Sequence, residues 1–341
     1  MGFNLYDENG WININEIAKL GKWLNVIIGP RQVGKTYSTL KYILNNDIYF
    51  MYVRRTKAEF ELMETDPDLN PFLKMKAEGY QIDITEHKGV RTIGHASYSD
   101  GKVRIERKIG TGMTLEQMAG IRGFNGDKFT DLMFDEFIPE KIVRKRAGEG
   151  DALLNAYTTI NGNRELLGRP PLRMWLLANS NDLNSEILES LMLTEEVEKL
   201  VRRDKEFIIS DSFFLALPHS EKVIEKRKET ALMRHLKGQG KFYDMAINNS
   251  FAYNDTTLIK NMNIRGMKCI ACLCGYYVYD ASEVYYVTTI PARTRKNYTE
   301  TDTDRIRFQL DFPEFRIMYS MGYVYFKSAV IQKRISEFLK M

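Results

Sequence analysis

The chain has 341 residues, 44% hydrophobic and 28% charged, which allows a sizeable core and favours two domains over one. Its 49 Lys and Arg against 45 Asp and Glu leave a formal net charge of +4, too mild to mark a nucleic-acid binder, so any DNA contact must rest on local charge. No stretch is apolar enough to span a bilayer, Met1 to Glu8 lack the regions of a signal peptide, and Tyr6 stands where myristoylation needs Ser or Thr. A soluble protein with no export signal and no membrane partner is expected.

Trp23 to Ile28 is a short apolar, β-branched run that reads as a buried strand ending at Gly29. Thr36 to Leu44 then carries helical spacing at Tyr37, Leu40, Ile43 and Leu44. Between them, Gly29 to Thr36 (Gly-Pro-Arg-Gln-Val-Gly-Lys-Thr) matches the phosphate-loop pattern in the strand–turn–helix context it requires. In the loop Gly29, Pro30, Arg31, Gln32, Val33 and Gly34, the glycines let the backbone N–H groups (Pro30 has none) turn inward to cradle phosphate oxygens at the positive end of the helix. Lys35 places an ammonium on the β- and γ-phosphates, and the Thr36 hydroxyl ligates Mg²⁺. ATP and Mg²⁺ are the implied cofactors; the competing reading is a chance glycine-rich turn.

Ile48 to Val53 is a second buried strand, closed by Arg54 and Arg55. These arginines read either as a solvated strand end or as a guanidinium near the nucleotide, with Arg54 the candidate. From His87 to Lys128 the chain is polar, glycine-rich and basic, with strand signals at Tyr98 to Ile109 and a hairpin turn signal at Ser99 to Lys102. A third strand, Leu132 to Phe134, ends in Asp135 and Glu136. Asp135 delivers a carboxylate to the Mg²⁺ shell, and Glu136 can polarise water for in-line attack, a feature of hydrolases and motors. Arg164, in Asn161 to Glu165, is from spacing alone one surface arginine among many. Met174 to Ala178 is a fourth strand, and Asn179 at its end is either a polar sensor beside the γ-phosphate or a turn former.

Strands alternating with helices predict a mostly parallel, doubly covered sheet over residues 1–205. Glu221 to Lys241 is helical and basic, which marks 206–247 as a helical linker. Beyond it, Met267 to Tyr279 and Val284 to Thr289 read as tyrosine-rich strands and Ala329 to Lys340 as a closing helix. Residues 248–341 are therefore expected to form a smaller α+β domain. Cys269, Cys272 and Cys274 lie in its first strand and read as buried, reduced thiols, since a zinc site would need a fourth ligand nearby.

Three functions fit these residues. The first is an oligomeric ATPase that moves duplex DNA, with basic segments Arg91 to Lys108 and Lys222 to Lys241 on backbone phosphates. The second is a nucleotide or nucleoside kinase, which would need an arginine-rich lid but neither Glu136 nor a second domain. The third is a nucleotide-gated scaffold that binds DNA or capsid without sustained turnover.

The motif set resembles the DNA-packaging ATPases of small, protein-primed, short-tailed bacteriophages. The resemblance is carried by Leu24 to Gly29, Tyr52-Val53-Arg54-Arg55, Phe134-Asp135-Glu136-Phe137, Leu153-Leu154-Asn155, Asn163-Arg164-Glu165 and the Asn179 strand. Near the end, Gly322 to Phe326 and Ser336 to Met341 also match, so it spans nearly the whole chain in islands. It implies a P-loop domain of the ring-translocase (ASCE) type and an RNase H-like C-terminal domain that has lost its catalysis. It also implies a homo-pentameric ring at the portal vertex of a procapsid in the host cytoplasm, acting on double-stranded DNA, with a structural RNA as a further candidate partner. Arg122 lies at the family's distance before Asp135 for a residue reaching the neighbour's nucleotide. The family's trans-acting arginine sits where this chain has Gly162, so Arg164 is the substitute candidate, with Arg122 assisting. Live nucleases of larger terminases cluster carboxylates around two metals, whereas Asp255, Asp280, Asp302, Asp304 and Asp311 are scattered in the sequence.

Overall fold

The computed structural model describes residues 2–65, 70–99, 102–120, 126–139, 148–179, 185–203, 205–236, 243 and 258–339. It divides into two compact units, Met1–Leu191 with Lys199–Ala252, and Met192–Glu198 with Tyr253–Met341.

Strands β1 (Leu24–Gly29), β2 (Phe50–Arg54), β3 (Ile82–His87), β4 (Val90–Ser99), β5 (Lys102–Thr114), β6 (Asp131–Asp135), β7 (Arg173–Asn179), β8 (Phe207–Ile209) and β9 (Phe213–Ala216) form the sheet of the first unit. Their order is β3-β4-β5-β2-β6-β7-β1-β9-β8. The run from β5 through β2, β6, β7 and β1 to β9 is parallel, and the strands at both edges are antiparallel. All six residues of β1 and all five of β6 are buried, as the interior of a doubly covered parallel sheet demands.

The four expected central strands are present and one to two residues longer or shifted. β7 lies between the phosphate-loop strand and the Asp135 strand, so Gly29 is level with Asn179 and Asp135 with Leu177. That register lines up the carboxyl ends of the central strands, the edge of an open α/β sheet where ligands bind. Helix Lys35–Asn45 follows the loop with Leu40 and Ile43 buried. Its N-cap, Gly34, has φ 82 and a would-be Cβ 3.1 Å from Trp11 Cβ, so a side chain there meets both backbone strain and crowding.

The segment 206–247 does not begin as a linker. β9 pairs in parallel with β1, and β8 pairs with β9, so residues 207–216 belong to the first unit's sheet. Phe214, Leu215 and Ala216 are fully buried there, a burial that a run of three or four residues does not signal by periodicity. The helical expectation holds further on, in Glu221–Lys228 and Ala231–Leu236. Residues 192–198 join the second unit, where Glu198 Oε1 accepts from Ala329 N–H at 2.6 Å and Glu195 pairs with Lys327 at 3.0 Å.

The second unit is α+β. Strands β10 (Lys268–Leu273), β11 (Tyr276–Asp280), β12 (Tyr285–Thr288), β13 (Asn297–Tyr298) and β14 (Val324–Phe326) form a mixed sheet in the order β13-β10-β11-β12-β14. The single run read from Met267 to Tyr279 is two strands, because Cys274 (φ 51) and Gly275 (φ 83) make a two-residue hairpin turn. Phe308, on helix Asp302–Asp311, is the hub of the core, with the rings of Tyr298, Phe312, Phe315 and Phe338 centred 5.1–5.6 Å away. Cys269, Cys272 and Cys274 are free and half-buried rather than fully buried. Asp280, Asp304 and Asp311 are engaged locally, by Ser282 N–H, by Thr299 and by Tyr298 respectively; Asp255 lies outside the described residues.

Candidate nucleotide site

The carboxyl ends of β1, β6 and β7 open onto a cleft of about 260 Å³ lined by Arg31, Gln32, Gly34, Lys35, Thr36, Tyr37, Asp135, Glu136, Ala178 and Asn179. The loop is pinned from behind, where Ile12 N–H donates to Val33 O at 3.0 Å. Gly29 is required at the strand end because a Cβ there would stand 2.5 Å from Pro218 Cγ.

Lys35 Nζ donates to Gly29 O and Pro30 O, each at 2.8 Å, and to Asn179 Oδ1 at 3.2 Å. All three ammonium donors are thus used within the loop and its neighbouring strand. Burial pushes the Lys35 ammonium down to about 7, against the pull of Asp135 and Glu136.

Thr36 Oγ1 donates to Asp135 Oδ1 at 2.9 Å, bringing together the two oxygens expected to ligate Mg²⁺. Two hard oxygen donors at the mouth of a phosphate loop suit Mg²⁺, which is held by one or two carboxylates with the remainder of its shell from phosphate and water. Burial raises the Asp135 carboxyl above its ordinary value, while Arg54 opposes that shift. Asp135 Oδ2 accepts from Tyr52 OH at 3.1 Å and from Arg54 Nη1 at 3.2 Å.

Glu136 follows with φ 58, and this left-handed turn directs its half-exposed carboxylate away from the strand and into the cleft. Its Oε2 accepts from Arg54 Nη2 at 2.9 Å. Arg54 therefore stands among carboxylates, with Glu59 Oε2 at 3.2 Å as the third, and acts as their bridge. Arg55 turns the other way, is buried, and pairs with Glu149 at the start of helix Glu149–Asn161.

Two expectations change. Arg164 is 4% exposed, with Nη2 on the carbonyls of Gly126 (2.7 Å) and Phe129. A guanidinium that satisfies backbone carbonyls inside its own unit is not displayed to a second copy. Arg91, expected on DNA, is 1% exposed with its guanidinium 4.6 Å from the Phe60 ring centre, whereas Arg104 on the same hairpin is exposed. Arg122 lies outside the described residues. Tyr52 and Glu59 were not foreseen, and neither was Arg227, whose Nη1 donates to Arg31 O at 3.1 Å. Tyr52 alternates with Arg54 on one face of β2, and that spacing was the available signal.

Known proteins resemble this chain in sequence and in fold. The sequence profile of the family described as podovirus DNA encapsidation protein (Gp16) matches residues 6–305. The "DNA packaging protein" of Bacillus phage phi29 is 23% identical over 350 aligned positions, covering 96% of each chain. That of Bacillus phage B103 is 24% identical over 333 positions, covering 93% of this chain and 90% of the relative. Among solved structures, the bacteriophage Phi-29 viral genome packaging motor assembly superposes with a TM-score of 0.65 at 20% identity, covering 99% of this chain and 100% of the other. The Phi-28 gp11 DNA packaging motor gives 0.60 at 16% identity, covering 98% and 99%.

Proposed function

Because the chain belongs to the podovirus DNA encapsidation protein (Gp16) family, and is by that membership a viral genome-packaging ATPase, we propose how its cleft turns ATP over and what the turnover drives. The observation that carries the reading is the contact of Thr36 with Asp135 beside an outward-turned Glu136 at the mouth of the phosphate loop.

In this reading the backbone of Gly29 to Gly34 cradles the phosphates, and Lys35 transfers its donors from loop carbonyls to the β- and γ-phosphates. Thr36 and Asp135 hold Mg²⁺, which when bound neutralises charge on the phosphates. Asn179, already on Lys35, faces the γ end. Glu136 takes the proton of the attacking water; the water oxygen bonds to the γ-phosphorus, the bond to the bridging oxygen breaks, and ADP leaves. Arg54 keeps the Glu136 carboxylate in place and offsets the buried charge of Asp135. The chain works as a homo-pentameric ring on the portal of a procapsid in the host cytoplasm, translocating double-stranded DNA, with a structural RNA as a candidate component. The second unit is an RNase H-like module that does not cut.

Phosphate release measured with and without duplex DNA tests the reading. The expected result is hydrolysis that rises with DNA, and DNA recovered intact from the same reactions. Phosphorylation of a small acceptor would make the protein a kinase, tight binding without turnover would make it a scaffold, and nicking lost in Asp280→Ala would restore the nuclease.

A further inference from the structure

Arg227 lies on helix Glu221–Lys228, in the segment that the sequence presented as linker. The helix is anchored against the amino-terminal segment: Lys222 Nζ donates to Glu8 O at 3.0 Å, and a Cβ on Gly10 (φ 83) would stand 2.9 Å from Lys222 Cβ. From there Arg227 reaches the phosphate loop and donates through Nη1 to Arg31 O at 3.1 Å. The residue is 8% exposed.

This guanidinium has no carboxylate partner among the described residues. The charge that acts on it is positive, since Arg31 disfavours the charged form of Arg227. Burial and the repulsion of Arg31 lower the Arg227 pKa. A buried cation with no counter-ion is costly, and a protein that retains one has a reason to. Of its five N–H donors, one is used among the described residues, so donors remain for an anion.

The position says which anion. Arg31 is the third residue of the loop, in the half whose carbonyls, Gly29 O and Pro30 O, hold Lys35 Nζ. A phosphate-loop lysine lies at the β and γ end of a bound nucleotide, so the Arg227 side of the loop is that end too. A polyphosphate there supplies the counter-ion, and charge-assisted contacts of guanidinium with phosphate are among the stronger hydrogen bonds.

We propose that Arg227 binds the terminal phosphate of the nucleotide within its own subunit, and so separates a nucleoside triphosphate from a diphosphate. The proposal rests on the cleft being the ATP site. Its rival is a brace, in which Arg227 merely holds the Arg31 carbonyl.

The experiment measures ATPγS and ADP affinities by titration calorimetry on the full chain and on Arg227→Ala, Arg227→Gln and Arg227→Lys, with Lys35→Ala as control. Gln keeps a donor for the Arg31 carbonyl and removes the charge; Lys keeps the charge. The expected result is that Ala and Gln each weaken ATPγS by about tenfold or more and ADP by less than about threefold, while Lys recovers part of the loss. The nucleotide-free melting temperature of Arg227→Gln should not fall, because an uncompensated charge has gone. An unchanged ratio of the two affinities in all variants overturns the proposal, as does full recovery in Gln but not in Ala, which is the brace. A parent that binds neither nucleotide, or a Lys35→Ala variant that binds like the parent, removes the ATP site itself and the proposal with it.

Discussion

At the residue scale the cleft is a balance of buried charges. Lys35 is held by three acceptors and still titrates near neutrality, so its charge depends on the anion that arrives. Lys35→Ala is expected to abolish nucleotide binding, read by calorimetry. Glu136→Gln should bind ATP as the parent does and hydrolyse it about 10²- to 10⁴-fold more slowly, since proton transfer alone is removed. Near-parental turnover in that variant would take the base role from Glu136. Arg54 gives a pH signature. The Asp135 carboxyl already sits above its ordinary value, so its ionisation opposes folding as pH rises through the folded-state pKa, and Arg54 limits that effect. Arg54→Ala should cost about 3 kcal/mol in mildly alkaline buffer, and less in acid where Asp135 takes a proton. A loss independent of pH would show that Arg54 acts by packing. The loop residues were legible because they are contiguous and their pattern is the site. The bridge made by Arg54 and the burial of Arg164 were not, since each depends on which distant carboxylates or carbonyls the fold brings up.

At the element scale, packing decides what local propensity leaves open. Helix Glu149–Asn161 starts at Gly148 (φ 82) without a side-chain cap of its own; Glu186 Oε2 accepts from Gly148 N–H at 2.7 Å and Glu149 N–H at 3.1 Å instead. Helix Glu186–Ser190 presses on the first turn so closely that a Cβ on Gly150 would stand 2.1 Å from Ser190 Oγ and 2.6 Å from Glu186 O. Alanine at a helical glycine ordinarily gains about 1 kcal/mol. Here overlap with a backbone oxygen outweighs that gain, as overpacking costs about 1–3 kcal/mol. Gly150→Ala should therefore lower the melting temperature, and a rise would contradict the close approach. The four central strands could be read from apolar runs, but β8 and β9 are three and four residues long and acquire meaning through pairing with β1. The hairpin turn at Cys274 and Gly275 was hidden inside one continuous tyrosine-rich run.

At the scale of the whole molecule, two compact units divide the work: the first holds the cleft, and the second has its own aromatic core around Phe308. The composition indicated two domains, and the alternation of strands and helices indicated the class of the first. Where one unit ends was less visible, because residues 207–216 and 192–198 are claimed by long-range pairings that leave no mark in local pattern. On the proposed function, ATP turnover in this cleft drives duplex DNA into a capsid shell. The direct measurement mixes the purified protein with portal-bearing procapsids, duplex DNA and ATP, then digests with DNase and quantifies the DNA protected. Protected DNA is expected with ATP, none with Lys35→Ala, and none with Glu136→Gln; steady ATP hydrolysis with no protected DNA would contradict a packaging role.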